Sequence, residues 1–269
     1  MVKIIVTGAA GRMGRRIIAL TKDPSNSAEL IGAVERTGAP ELGRDAGETA
    51  GIGRIGIPIE SNPQSALPKA DAVIDFTVPD CTLDILPAAS KAGTAMVIGT
   101  TGFSKKDMET IRGHAEKIPI VLSPNMSVGV NLVLRLLAEA AKVTRDDYDV
   151  EIMEIHHRHK KDAPSGTALR MAQVLADSLG RDLEKVGVYE RHGQTGERKP
   201  GEIGIQTLRA GDVVGEHTVT FAGMGERIEL THRAHSRDNF ARGALLASNW
   251  AAGKAPGMYD MANVLNFKS

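Results

Sequence analysis

Cysteine is almost absent from this chain. Cys81 is the only one in 269 residues, so no disulfide can form within the chain. That excludes the disulfide-stapled secreted scaffolds and fits a reducing compartment. The expected role of Cys81 is that of a small buried thiol or helix-start residue rather than a nucleophile. Aromatic residues make up 3% of the chain and Trp250 is the only tryptophan, which argues against base-stacking platforms for nucleic acid. Neither sign of charge is in excess: 33 Lys and Arg balance 33 Asp and Glu. No broad basic surface is expected, and no nucleic-acid partner. Apolar runs of membrane-spanning length are missing, so no membrane partner is expected. The first residues lead straight into a short β-branched run, without a secretory n-region, h-region and cleavage site, and the expected location is cytoplasmic. Hydrophobic content of 42% supports a proper core, in one large domain or two ordinary ones.

The first half alternates strands and helices. Val2–Thr7 reads as a buried strand, and Gly8-Ala9-Ala10-Gly11-Arg12-Met13-Gly14 follows at once, before a helix from Arg15. Strand, glycine loop and helix form the setting in which a dinucleotide fingerprint carries meaning. The spacing here is G-x-x-G-x-x-G, with Ala10 where the commoner pattern has its second glycine. The next strand, Glu29–Val34, ends at Glu35-Arg36, the place for an acid that bonds an adenosine ribose and an arginine that meets a 2′-phosphate. Together they suggest tolerance of both NADH and NADPH. Residues 37–69 read as loop with a short strand near Ile55–Ile59.

Further strands are expected at 72–76, 95–98 and 118–122, with helices at 82–92, 105–117 and 128–143. Repeated βα units imply a Rossmann-type, doubly wound parallel sheet whose ligands bind beyond the carboxyl ends of its strands. Asp75-Phe76-Thr77, Gly99-Thr100-Thr101 and Ser123-Pro124-Asn125-Met126 stand at such ends and are candidates for the nicotinamide half of a dinucleotide. The later strands, 203–209, 213–222 and 227–234, follow one another with short turns and are expected to pair antiparallel. The second half is therefore expected to be α+β, with an open, mostly antiparallel sheet.

The densest chemistry lies at 154–168: Glu154-Ile155-His156-His157-Arg158-His159-Lys160-Lys161-Asp162-Ala163-Pro164-Ser165-Gly166-Thr167-Ala168. A strand from Tyr148 leads into it and a helix leads out, with Ser165 placed as the N-cap. A histidine can give a proton near neutral pH. Lysines beside it can hold an anion, and the N–H groups at Ser165-Gly166-Thr167 can grip a carboxylate. If the strand stays extended, Glu154, His156, Arg158 and Lys160 share one side, with His157 and His159 on the other. The adjacent lysines and arginine would repel a cation, so no metal is expected at the three histidines. None of Tyr148, Tyr189 or Tyr259 is followed four residues later by lysine, which argues against a short-chain dehydrogenase.

Taken together, these stretches resemble the 4-hydroxy-tetrahydrodipicolinate reductase (dihydrodipicolinate reductase) family, nearly end to end. The His-His-Arg-His-Lys and Asp-Ala-Pro-Ser-Gly-Thr pair is the specific part. Val97–Phe103, Asn125–Asn131, Gly196-Glu197-Arg198 and Arg209–His217 also look like that family. The resemblance implies reduction of a cyclic dicarboxylic imine by NADH or NADPH in the diaminopimelate route to lysine. It implies His156 as proton donor, Lys160 as its catalytic partner, and His157, Gly166 and Thr167 on the substrate carboxylates. It also implies a homotetramer assembled through the second sheet. A dinucleotide domain would take 1–126, with 237–269 returning to it, and a substrate-binding and oligomerisation domain would take 127–236. The alternatives are a non-catalytic NAD(P)-binding sensor, or another Rossmann oxidoreductase acting on a small dicarboxylate.

Overall fold

The structure is a computed structural model that describes residues 1–267. The chain divides into two compact units, residues 1–128 with the chain from Arg237 onward, and residues 129–236. In the first unit it runs through β1 (Val2–Thr7), α1 (Arg12–Leu20), β2 (Ala28–Val34), α2 (Ala46–Ala50), β3 (Ile59–Glu60), β4 (Ala72–Asp75), α3 (Pro79–Ala92), β5 (Ala95–Ile98), α4 (Lys105–Ala115) and β6 (Pro119–Leu122). The second unit follows with α5 (Val128–Thr144), β7 (Asp149–His156), α6 (Gly166–Ser178), α7 (Leu183–Val186), β8 (Gly187–Val188), β9 (Ile203–Arg209), β10 (Gly215–Gly223) and β11 (Glu226–Ala234). The chain then returns to the first unit with α8 (Asp238–Ala251), β12 (Gly257–Tyr259) and α9 (Met261–Val264).

The first sheet has the order β12-β6-β5-β4-β1-β2-β3, and every pairing is parallel. Parallel strands covered on both faces must be apolar on both faces, and β1 shows how. Ile4 and Val6 pack with Ile17, Ala244 and Leu245 of α1 and α8, while Ile5 packs with Leu86 and Ile111 of α3 and α4. The same alternation divides Ile74 from Val73 and Val97 from Met96. Since all seven strands run one way, their carboxyl ends share one edge, and the chain reverses its winding where β1 lies between β2 and β4.

The second sheet has the order β11-β10-β7-β9-β8. It is open and mixed: β10 pairs antiparallel with β11 and with β7, while β9 pairs parallel with β7 and with β8. One expectation fails. β9 does not pair with the β10 that follows it; β7 lies between them, and β9 runs parallel to β7. Val150, Ile152, Ile205, Val219 and Phe221 turn one face onto Leu137 of α5 and Met171 and Leu175 of α6. The other face, which includes Met153 and Leu208, carries no helix of this unit and leaves both exposed. No helix among the described residues is long and apolar enough to cross a membrane.

The stretch 37–69 holds more structure than its composition suggests. Asp45 caps α2, accepting from the N–H groups of Gly47 and Glu48, and it also binds those of Ile55 and Gly56. β12 adds an edge strand beside β6 that local sequence signals do not reveal.

The glycine loop is set by backbone clearance. Gly8 has φ +63°, a conformation that side chains rarely adopt. A Cβ on Gly14 would stand 2.1 Å from the carbonyl oxygen of Gly8 and 2.8 Å from Cα of Ala9. A glycine in a helix interior usually gains up to ~1 kcal/mol on replacement by alanine. Gly113, with open space around it, should follow that rule. Gly14→Ala should reverse it, at a cost of about 1–3 kcal/mol for overpacking against backbone. Differential scanning calorimetry of the two variants reads the signs, and a Gly14→Ala protein melting at or above the parent temperature would refute the packing argument.

Candidate active site

In the second unit, everything near residues 154–168 is built around one carboxylate. Glu154 lies on the helix-facing side of β7 and is fully buried. Arg209, at the end of β9, donates to both of its oxygens, at 2.9 and 3.0 Å. The backbone N–H of Ser165 donates to Oε1 at 3.0 Å, and Nδ1 of His156 lies 2.5 Å from Oε2. Burial alone would push the Glu154 carboxyl up, but the bonds from Arg209, His156 and Ser165 outweigh it and hold the group below its ordinary range.

His156 is the last residue of β7, and its side chain is 12% exposed. With Nδ1 committed to Glu154, Nε2 is the ring atom left for chemistry. A Cβ on Gly215, opposite on β10, would come 2.8 Å from Nε2, so the ring position depends on that glycine. Burial pulls the His156 pKa down, and the Glu154 carboxylate pulls it back only in part. The ring of His217 meets that of His156 edge-on at 5.1 Å, and burial takes the His217 pKa down to about 4. His217 is thus a neutral neighbour. It bonds Ser165 Oγ through Nε2 at 2.9 Å, while the same oxygen caps α6 by accepting from the N–H of Ala168.

The strand ends at His156, so the alternation expected to carry Arg158 and Lys160 onto the same face does not extend to them. They lie in a turn, where the N–H of Lys160 donates to the carbonyl of His157. The Lys160 ammonium bonds both oxygens of Asp162, at 2.9 and 2.8 Å. Arg209 also donates to the carbonyl of Asp162, which ties this turn to the strand end. His157 has a buried Nδ1 with no partner among the described residues. Ser165 is buried with both its N–H and its hydroxyl engaged, whereas Gly166 faces open space at the start of α6. Glu154, Arg209, His217 and Gly215 are the members that sequence reasoning left without a role. A charged residue at an inward position of an otherwise apolar strand, Val150-Ile152-Glu154, was the available signal.

In the first unit, the predicted cofactor residues collect at the carboxyl edge of the sheet. Gly8 to Met13 form the loop and first turn of α1, where Gly11 stands at the N-cap and no side chain caps the helix. That leaves a helix N-terminus suited to a phosphate. Glu35 lies against the same loop and accepts from the N–H groups of Ala10 at 3.0 Å and Arg36 at 3.2 Å. Arg36 is exposed beside it. Gly99 sits under Phe76, whose ring would meet a Cβ at 2.2 Å. Thr100 accepts from the N–H of Thr77 at 2.8 Å, and Thr101 is exposed. Ser123 donates to the carbonyl of Asn125, and Asn125 Oδ1 receives the N–H of Ser127, which shapes the turn with Pro124. Ala9 and Met126 send their side chains into the core, so only their backbones face the edge. A glycine cradle, an uncapped helix end and a carboxylate at the second strand end together fit a dinucleotide.

Comparison with known proteins agrees across both units. Residues 2–126 match the family model described as dihydrodipicolinate reductase, N-terminus, and residues 129–265 match the one described as dihydrodipicolinate reductase, C-terminus. The chain is 54% identical over 269 residues to the 4-hydroxy-tetrahydrodipicolinate reductase of Syntrophus aciditrophicus (strain SB), covering 100% of both. It is 54% identical over 268 residues to that of Anaeromyxobacter dehalogenans (strain 2CP-C), covering 100% of this chain and 99% of the other. The fold is that of a dipicolinate-bound dihydrodipicolinate reductase from Paenisporosarcina sp. TG-14, with a TM-score of 0.77 at 23% identity over 100% of each chain. Matched in both halves and along its whole length, the chain belongs to the dihydrodipicolinate reductase family.

Proposed function

We propose that this chain is the NAD(P)H-dependent 4-hydroxy-tetrahydrodipicolinate reductase of diaminopimelate and lysine biosynthesis. The observation that carries the reading is His156 held by a buried carboxylate, with Lys160 and the start of α6 beside it in the chain. A bound NADH or NADPH supplies hydride. Gly8 to Met13 accept its pyrophosphate, Glu35 its ribose and Arg36 a 2′-phosphate, while Gly99 to Thr101 and Ser123 to Met126 line the nicotinamide side.

The substrate is a cyclic dicarboxylate. Lys160 exchanges Asp162 for a substrate carboxylate, which a dianion favours over an exposed surface pair. His157 contributes its unpartnered Nδ1, and Gly166 and Thr167 present the helix N-terminus to a carboxylate. Ser165 keeps that turn in place through its bonds to Glu154 and His217. His156 in its cationic form keeps one proton on Nδ1 against Glu154 and gives the Nε2 proton to the ring carbon beside the one that takes hydride. Glu154 stabilises the cation that must form before each transfer, and Lys160 stabilises charge that develops on the substrate. A non-catalytic nucleotide sensor has no use for such a buried, charge-balanced histidine.

Assembly and location belong to the same proposal. The uncovered face of the second sheet leaves Met153 and Leu208 in the open, and a homotetramer built through that face would cover it. A single cysteine and a nicotinamide-dependent biosynthetic step fit the cytoplasm.

His156→Gln should lower kcat about 10²–10⁴-fold, as loss of a general acid does, with NADH binding retained; unchanged turnover removes His156 from the reaction. Glu154 raises the His156 pKa, and a general acid fails as pH rises through its pKa. Glu154→Gln should therefore move the alkaline limb of the kcat profile to lower pH, and a limb that stays or moves up contradicts the pairing. Arg36→Ala should weaken NADPH more than NADH in direct titration, and equal losses would speak against a 2′-phosphate contact. Met153→Lys should reduce the assembly seen by light scattering, whereas an unchanged mass would place the interface elsewhere.

A further inference from the structure

Asp75 is the last residue of β4 and is fully buried. It stands between β1 and β5, at the carboxyl edge of the parallel sheet. Four threonine hydroxyls surround it. Thr7 and Thr77 donate to Oδ1, each at 2.6 Å. Thr100 donates to Oδ2 at 2.9 Å, and Thr82 donates to the same oxygen. The donors come from the end of β1, the loop after β4, α3 and the loop after β5. No cationic side chain is among them.

Two hydroxyls on each oxygen fill the acceptor capacity of an ionised carboxylate, which needs acceptor-only chemistry. This is an unusual way to keep a charge in a core, where buried carboxylates are normally paired with a cation. Hydroxyl dipoles can satisfy the oxygens of an ionised carboxylate without cancelling its net charge. In a low-dielectric surrounding that charge acts on its neighbourhood with little screening. Thr100, which it holds, belongs to the strand-end loop assigned above to the nicotinamide side.

We propose that Asp75 is a positioning residue that also acts electrostatically. It holds Thr77 and Thr100 at the strand ends, and its uncompensated negative charge favours the oxidised nicotinamide ring over the reduced one. The inference rests on the nucleotide site assigned under the proposed function and adds a reason for hydride to leave. A nicotinamide ring that has given up hydride carries a positive charge that the reduced ring lacks. A fixed negative charge nearby is therefore worth more after hydride has left, and in part at the transition state, than before. Asp75 touches neither nucleotide nor substrate in this scheme; it acts through its field and through the two threonines.

The chain carries its own probe of that field. Cys81, the only cysteine, lies in the first turns of α3, and its thiol pKa is pushed up by burial and then by Asp75, with smaller contributions from Asp84, Asp80 and Glu35. Asp75→Asn leaves the other three carboxylates in place.

The test uses the full-length protein. The affinities of NAD⁺ and NADH are measured by calorimetric titration for the parent, Asp75→Asn and Thr7→Val. Asp75→Asn should weaken NAD⁺ relative to NADH by on the order of tenfold, while Thr7→Val, which removes one hydroxyl and no charge, should leave the ratio unchanged. Equal weakening of both nucleotides in Asp75→Asn would reduce the residue to a structural tie and overturn the proposal. In the protein without nucleotide, the pH dependence of iodoacetamide reaction at Cys81 should move to lower pH in Asp75→Asn; an unmoved profile means that Asp75 carries no charge and also overturns it. Should the Asn variant fail to fold, carbon-13 spectra of aspartate-labelled parent protein at neutral pH decide the same point. All side-chain carboxyls ionised supports the proposal, and a protonated one sinks it. Failure of NADH itself to bind the parent protein would strike the nucleotide assignment instead, while the Cys81 profile still decides the charge on Asp75.

Discussion

Glu154 is the group on which the geometry of the second unit's charged cluster depends. A carboxylate with no exposure is costly to bury unless it is matched in charge and hydrogen-bonded. Arg209 supplies the charge, and its fork holds both oxygens. Ser165 and His156 complete the set. These contacts join β7, β9, the turn before α6 and the helix itself, so one ionic centre fixes strand register, helix start and ring orientation together. Removing one partner of such a pair typically costs about 3–5 kcal/mol, because the other is left charged and buried. The neutral His217 packed against His156 adds a polar neighbour without adding charge.

The first unit solves a different problem with different means. Its candidate ligand groups come mostly from the backbone, directed by glycines and by strand ends that all emerge at one edge. Side chains enter at the rim: Glu35 braces the glycine loop, and Arg36 stands in solvent. A dinucleotide site asks for close approach and free N–H groups, and a parallel sheet with an uncapped helix offers both without buried ions. Asp75 is the exception, a carboxyl group fully buried beneath that edge and bonded by four threonine hydroxyls.

Much of this was legible in the residues. Alternating strand and helix periodicity set out the parallel sheet, and the glycine loop and Glu35, read as partners, do meet at its carboxyl edge. The strand-to-helix junction at Ser165 was readable from Pro164 and an N-cap side chain, and the hydroxyl of Ser165 does cap α6. What escaped was long-range. Whether β9 pairs with β10 or with β7 is decided by contacts across more than fifty residues of chain, which local turn signals do not encode. Arg209 meets Glu154 only through that pairing. The two- and three-residue strands β8 and β12 are too short to show a period. α2 was concealed by glycines, although Asp45 with Glu48 three residues on is a readable start signal.

The return of the chain to its first sheet has a consequence for biosynthesis. On the ribosome, β1 to β6 and their helices emerge well before α8 and β12, with all of the second unit between. Until then Ile4, Val6, Ile74 and Val97 lack the α8 side of their cover, and β6 stands as an unpaired edge. The inserted unit is continuous in the chain and can close its own core first. The nascent protein therefore carries a half-covered apolar face and a bare strand edge through the synthesis of more than a hundred residues, and chaperone capture is aimed at such surfaces.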